Sequence, residues 1–428
     1  MSINIPSLSQ KRIVIVGAGF AGLKLAQHLA NIAYQVVLID RNNYHQFQPL
    51  FYQVATAGLE PSAISFPLRK VFQHAHNVHI RVADTEQIDT HKKLIYTNLG
   101  ELSYDYLVLA VGASTNFFGN KNISERAMPM KSVSEALALR NRILQNLEDA
   151  ILAENTEDRL GLMNIVVVGG GPTGVEVSGT LAEMKKNILP KDYPELNFAE
   201  MNIYLLEASP NVLNVMSAIS AKKAREYLEK LGVKVSTQTH VNDFDGKNVF
   251  LGDGTTIRTN TLIWAAGVAA NKVTGIDPVA IGRANRIKVD RFNKVEGQDA
   301  VFALGDLALM IEDKYPNGHP QLAQPAMQQA VNLAKNFKNM LQNKPMKPFT
   351  YKDLGSMATI GKNKAVVELP FIKFQGFIAW LTWMFVHLMS IVGVKNKLLI
   401  FVNWCWHYFT SDQSLRLIMK PKDKNIAV

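Results

Sequence analysis

Two stretches of this 428-residue chain repeat one pattern, and the repeat constrains the fold more than any other feature. KRIVIVGAGFAGLKLAQHLANIAYQVVLID (11–40) reads as a strand, a glycine turn, a helix and a second strand that ends in an acid. NIVVVGGGPTGVEVSGTLAEM (164–184), followed by MNIYLLEAS (201–209), reads the same way. The apolar runs IVIV and IVVV suit strands buried on both faces of a parallel sheet. The pattern predicts an α/β chain with two Rossmann-type dinucleotide-binding domains.

Each glycine in the GxGxxG turns has its own task. Gly17 and Gly169 permit the sharp exit from the strand. Gly19 and Gly171 let a pyrophosphate approach the backbone. Gly22 and Gly174 let the helix pack close to the sheet. A pyrophosphate then meets the helix N-terminus, where backbone N–H groups and the dipole favour an anion. Phe20 and Ala21 in the first turn, and Pro172 and Thr173 in the second, flank those sites. Asp40 follows Gly22 by eighteen residues, at the place where a carboxylate accepts from a ribose hydroxyl. Glu207 takes the matching place in the second unit, with Arg41 beside the first acid. No Arg or Lys follows Glu207 in ASPNV, so NADH is preferred to NADPH. Ala110 and Gly112 in YLVLAVG, and Ala266 and Gly267 in LIWAAG, end apolar strands with two readings, a backbone approach to a cofactor or a plain buried strand with a turn; DAVFALGD is another buried strand, ending in Gly305 and Asp306.

One cysteine, Cys405, excludes a disulfide framework, a CxxC redox pair and a cysteine-rich metal centre, and no metal site is expected. The N-terminus lacks the apolar stretch of a signal peptide, so the body is expected in the cytoplasm. Net charge is +10, and the excess is local: twelve Lys/Arg and four Asp/Glu fall after residue 340. There the basic residues alternate with apolar runs, GFIAWLTWMFVHLMSIVGV (376–394) and LLIFVNWCWHYF (398–409). That alternation disfavours nucleic acid and favours an anionic bilayer surface. Trp380, Trp383, Trp404, Trp406 and Tyr408 suit the headgroup boundary, and Lys395, Lys397, Arg416, Lys420, Lys422 and Lys424 suit its anions. The first run is just long enough to span a bilayer. An interfacial, monotopic hairpin is the preferred reading, and a spanning helix its main rival.

Taken in order, GAGFAGL, QPLFYQVATAG, VVGGGPTGVE, AAGV, ALGD and AQPAMQ resemble the type II NADH:quinone oxidoreductases, non-proton-pumping flavoproteins of the glutathione-reductase-like superfamily. The resemblance implies FAD, non-covalently bound, at Gly17, Gly19, Gly22, Asp40, Gly305 and Asp306. Pro49 would lie by the flavin ring, and Thr85 by the adenine, where the family often has Val. NADH would sit at Gly169, Gly171, Gly174 and Glu207. The AQxAxQ match implies that Gln324 and Gln328, four apart on one helix face, orient a quinone carbonyl. Glu176 has two readings: Thr173-x-x-Glu176 spells a capping box, while the family's matching Glu assists proton or quinone handling. The family further implies a homodimer on the cytoplasmic face of the cell inner membrane, reducing ubiquinone or menaquinone. The domain pattern is interleaved: FAD domain at 1–120 and 290–365, NADH domain at 121–289, membrane-associated tail at 366–428. Two other readings share the Rossmann pair: a soluble NAD(P)H-dependent ferredoxin- or rubredoxin-type reductase, and an apoptosis-inducing-factor-like flavoprotein with a mainly binding role.

Overall fold

The computed structural model describes residues 3–410, 412 and 415–419. Lys420, Lys422 and Lys424, expected to meet lipid, lie outside them. The chain forms two compact units: residues 1–46, 66–114 and 268–354, and residues 47–65, 115–267 and 355–428.

The first unit is built on a five-stranded sheet ordered Val301–Ala303, Tyr106–Leu109, Arg12–Val16, Gln35–Asp40, Val78–Val82, with every neighbour parallel. Ile13, Val14 and Ile15 are fully buried, as strands covered on both faces must be. The helix Phe20–Leu29 leaves the first strand through the first glycine turn. The long helix Ala323–Leu341 packs beside it. An edge-on cluster of Tyr34, Tyr106, Phe302 and Phe337 fills the space between sheet and helices.

The second unit repeats the theme with four parallel strands: Val233–Ser236, Ile203–Leu206, Ile165–Val168, Thr261–Trp264. The helix Pro172–Asn187 leaves through the second glycine turn. The fold class is therefore α/β with two Rossmann-type domains, as the sequence predicts. An antiparallel sheet follows, Ser356–Gly361, Lys364–Leu369 and Ile372–Gln375. It begins within the stretch that the sequence assigns to the FAD domain, and it packs on the second glycine helix. The contact is backbone-close: a Cβ on Gly179 would lie 1.8 Å from the Ile360 carbonyl oxygen.

Two tail helices end the described chain, Phe377–Ser390 and Val394–Thr410. Among the described residues no helix is long and apolar enough to cross a membrane. This corrects the spanning alternative for 376–394. The first helix has 14 residues, about 21 Å at 1.5 Å per residue, short of the roughly 30 Å hydrocarbon core. Gly393, at φ +84°, lies in the break between the two.

Gly179→Ala places a methyl group where backbone already sits, in a rigid helix–strand contact. It is expected to cost about 2 kcal/mol or more, read as a lower denaturant midpoint; an unchanged midpoint contradicts the packing described.

Candidate functional site

The first unit gathers the expected cofactor residues of the first glycine turn. Gly17 takes φ +100°, and a Cβ there would lie 2.4 Å from the Ala110 carbonyl oxygen. The turn therefore runs against the backbone that follows the neighbouring strand, and the Ala110 N–H donates to Val16 O at 2.8 Å. The space over Gly19 is open to 4 Å, and the helix it precedes has no side-chain cap. An uncapped first turn facing open space fits a pyrophosphate. Asp40 is held in place: the Ala18 N–H donates to its Oδ2 at 2.6 Å and the Asn42 N–H to its Oδ1 at 2.7 Å. Burial raises the Asp40 pKa, against the pull of those N–H groups. Arg41 is exposed and faces Asp84 at 3.7 Å. Thr85 begins a strand at Thr85–Asp89, with its buried hydroxyl unpartnered.

Gly305 closes this cradle. A Cβ there would lie 3.1 Å from that of Ala326 and 3.6 Å from that of Ala21, so it wedges between the first turns of two helices. Its N–H donates to Gln329 Oε1 at 2.7 Å, and the Asp306 carbonyl accepts from Gln321 Nε2 at 3.0 Å. Gly112 lies on open space at φ +70°. Sequence reasoning missed Gln329, which is one residue past the AQPAMQ motif and fully buried. It also missed His45. The buried His45 Nδ1–H donates to Ala18 O at 2.8 Å, inside the glycine turn, and burial lowers its pKa. A buried polar residue cannot be told from an exposed one by local pattern alone.

Gln324 and Gln328 share a helix face as expected, and both reach the segment leading to residue 354. Gln328 donates to Lys352 O at 2.8 Å and accepts from Lys352 N–H at 3.0 Å; Gln324 Oε1 accepts from Leu354 N–H at 3.2 Å.

In the second unit the same devices recur. Gly169 takes φ +108° against the Ala265 carbonyl and the Ala266 nitrogen, with Gly174 against Gly169 O. The space over Gly171 is open, and Pro172 starts the helix without a side-chain cap. Glu207 accepts from Gly170 N–H on Oε2 and from Ser209 N–H on Oε1, the second at 2.7 Å. Thus the loop that lengthens the spacing before Glu207 leaves the acid on its turn. Gly267 takes φ +89°, with the exposed Phe118 ring over it.

The capping box is not formed: Gly171 is the N-cap, and no side chain bonds there. Glu176 instead turns inward and is buried. The Thr359 N–H donates to its Oε1 over a long 3.4 Å. The Trp383 indole, 2% exposed, is near the same carboxyl, but its N–H closes no hydrogen bond. Tyr52, from the short helix Phe51–Ala55, is buried beside them and accepts from Gln53 Nε2 at 2.8 Å. Pro49 lies in the turn just before, Gln48–Leu50. His387 stacks on Trp383 with centroids 4.0 Å apart, meets the Phe47 ring edge-on, and donates from Nδ1 to Trp383 O at 2.8 Å.

Of these residues Tyr52, Gln53, Thr359 and Trp383 border a half-open cleft with about 660 Å³ of atom-free space, its open mouth included. Rings of Tyr52, Trp380, Trp383, Trp404 and Tyr408 wall it, while Gln53, Thr180, Glu183, Lys362 and His407 add polar groups. Trp404 donates to Gln53 Oε1 at 2.8 Å. Four of the rings expected at a headgroup boundary, Trp380, Trp383, Trp404 and Tyr408, therefore line this cleft, whereas Trp406 is 62% exposed.

A family model described as pyridine nucleotide-disulphide oxidoreductase matches residues 11–330, and one for the NDH2 C-terminal domain matches 354–411. The chain is 36% identical over 409 residues to the type II NADH:quinone oxidoreductase Ndh of Mycobacterium tuberculosis, covering 92% of this chain and 87% of that protein. The chain belongs to the type II NADH:quinone oxidoreductase family. Another relative, a probable NADH dehydrogenase of Dictyostelium discoideum, is 30% identical over 93% of this chain and 89% of its own. The fold matches NDH2 from Plasmodium falciparum, solved in complex with NADH, at a TM-score of 0.88, over 96% of this chain and 100% of that one, at 22% identity. The first family model carries disulphide chemistry in its description, yet this type II chain has Cys405 alone, half-buried in its last helix.

Burial pushes the Glu176 pKa up to about 8, with Thr359 N–H and Trp383 opposing, so the carboxyl is protonated at neutral pH. Burial also lowers His387 to about 4, so its ring is neutral. The Glu176 shift carries a sign. Below its ordinary value of 4.5 both folded and unfolded chains hold the proton; from there to about 8 only the folded chain does, so stability falls as pH rises. Glu176→Gln is expected to flatten that fall, gaining on the natural protein between pH 5 and pH 8 in thermal midpoint. Parallel curves for the two proteins contradict a protonated Glu176.

Proposed function

We propose that this protein oxidises NADH through a non-covalently bound FAD and reduces a membrane quinone, ubiquinone or menaquinone, by two electrons without pumping protons. The observation that carries the reading is the pair of separate dinucleotide cradles in a chain with a single cysteine. With a single cysteine the chain offers no thiol pair as a relay, so a flavin held in the first cradle would have to serve the acceptor directly. FAD, when bound, supplies two-electron chemistry. Gly17, Gly19, Gly22, Asp40, Ala110, Gly112, Gly305 and Asp306 hold it, with Phe20, Ala21, Arg41 and Thr85 around them and Pro49 by its ring. Gly169, Gly171, Pro172, Thr173, Gly174, Glu207, Ala266 and Gly267 hold NADH. Glu207 already accepts two backbone N–H groups, so its outward lone pairs suit a ribose hydroxyl and repel a 2′-phosphate.

For the quinone, Glu176 offers a carboxylic proton from a buried position beside Trp383. Gln324 and Gln328, whose amides also bond the backbone of Lys352 and Leu354, orient a quinone carbonyl in this reading. The tail is read as monotopic. Phe385, Leu398, Phe401, Val402 and Phe409 are exposed on helices too short to span, which suits an apolar face lying in one leaflet. The same reading includes a homodimer on the cytoplasmic face of the inner membrane.

One experiment addresses both enzyme and surface. Purified protein should couple NADH oxidation to a water-soluble short-chain quinone and to ubiquinone embedded in anionic vesicles. The double variant Phe385→Glu with Phe401→Glu should keep the first activity within about twofold and lose the second about tenfold or more, since charge is costly in the leaflet. Equal loss with both acceptors overturns the membrane reading, and no quinone reduction by the natural protein overturns the enzyme reading.

A further inference from the structure

Each turnover of the proposed reaction, NADH + H⁺ + quinone to NAD⁺ + quinol, takes one proton from water. Glu176 is too deeply buried to collect it directly. The second glycine helix has another carboxyl on the same face. Thr180 and Glu183 follow Glu176 by four and seven residues, the spacing of one helical stripe. Glu183 lies about 10 Å along the axis at 1.5 Å per residue, half-buried, and both it and Thr180 line the half-open cleft. Tyr52 lines the cleft too, and its hydroxyl feels both carboxyls.

We infer that Glu183 is the entry point of a proton relay, passing protons from water in the cleft through Tyr52 to Glu176. The inference rests on the quinone-reducing function proposed above. Glu183 gives its proton along the line to a Glu176 carboxylate and regains one from water, so nothing is oxidised or reduced in the relay. Water entering the cleft completes the hydrogen-bonded line beside the Thr180 hydroxyl, which itself donates to Glu176 O at 2.9 Å.

The surroundings of Glu183 suit an exchangeable proton. The Lys362 N–H donates to Oε1 at 2.6 Å and fixes the carboxyl. Lys362 and Lys364 face it from the sheet, His407 from the last helix, and Tyr52 from the short helix. Burial raises its pKa, while the Lys362 N–H and the charges of Lys364, His407 and Lys362 oppose that. Lys362 itself is engaged: its ammonium lies 4.2 Å from the Tyr408 ring centroid and donates to Tyr408 O. Burial also lifts the Tyr52 pKa well above its ordinary value, which keeps that hydroxyl a proton-carrying group.

The test separates proton uptake from electron transfer. Ferricyanide accepts electrons from the enzyme and takes up no proton. In Glu183→Gln, the amide oxygen can still accept from Lys362 N–H. Stopped-flow measurements on the full-length, flavin-loaded protein should find bleaching by NADH and turnover with ferricyanide within about twofold of the natural protein. Flavin reoxidation by a short-chain ubiquinone should slow about tenfold or more, increasingly so from pH 6 to pH 9. Quinone reoxidation within twofold, with an unchanged pH profile, overturns the relay. Should Glu183→Gln fail to retain flavin, Glu183→Asp is measured instead. A quinone-only slowing smaller than that expected of Gln supports the relay; equal slowing with ferricyanide, or none, overturns it. A natural protein that ferricyanide reoxidises and quinone does not defeats the parent function and not the relay.

Discussion

A glycine turn pressed against a neighbouring parallel strand is the contact on which both halves of this protein depend. In each unit the first strand ends in a left-handed glycine whose missing side chain lets the turn touch the backbone beyond the next strand. The helix that follows starts a glycine later, without a side-chain cap, over open space. Its N-terminal partial charge is thereby available to a pyrophosphate. The acid at the end of the second strand is fixed by two N–H groups, so its remaining lone pairs point outward already oriented. One steric exception thus produces an open helix start and an oriented carboxylate beside it, twice.

The second unit adds an electrostatic device. The second glycine helix, uncapped at its start, has a buried carboxyl one turn in and a half-buried one two turns further. Desolvation decides the state of Glu176, because its one long N–H bond and a nearby indole are too weak to hold a charge in an aromatic setting. The tail supplies that setting. Trp383 and Trp404 turn away from solvent and, with Tyr52 and Tyr408, wall the cleft. The outer faces of the same two helices expose Phe385, Phe401 and Phe409. Each tail helix therefore has two apolar faces with different work to do.

This divides what the sequence made legible from what it hid. The paired Rossmann units were readable because glycine spacing and buried-strand runs are local patterns with steric causes. The orientation of Asp40 and Glu207 followed for the same reason. The capping box at Thr173 failed because Gly171 and Pro172 begin the helix without it, leaving Glu176 to be claimed by tertiary packing. The tryptophans of the tail read as a boundary belt because an uncharged run of nineteen residues looks alike from every side. Only the break near Gly393 and the packing of Trp383 show which rings face inward. Gln329 and His45 left no local signal, since each gains its meaning from a partner far away in sequence.

The central claim, a flavin that takes electrons from NADH and gives them directly to quinone, meets its most direct test in an anaerobic cycle of the purified protein. One equivalent of NADH should bleach the bound flavin's absorbance, and one equivalent of short-chain quinone should restore it, with FAD released on denaturation. A folded protein without flavin, or a flavin that NADH bleaches and quinone leaves reduced, would contradict the account.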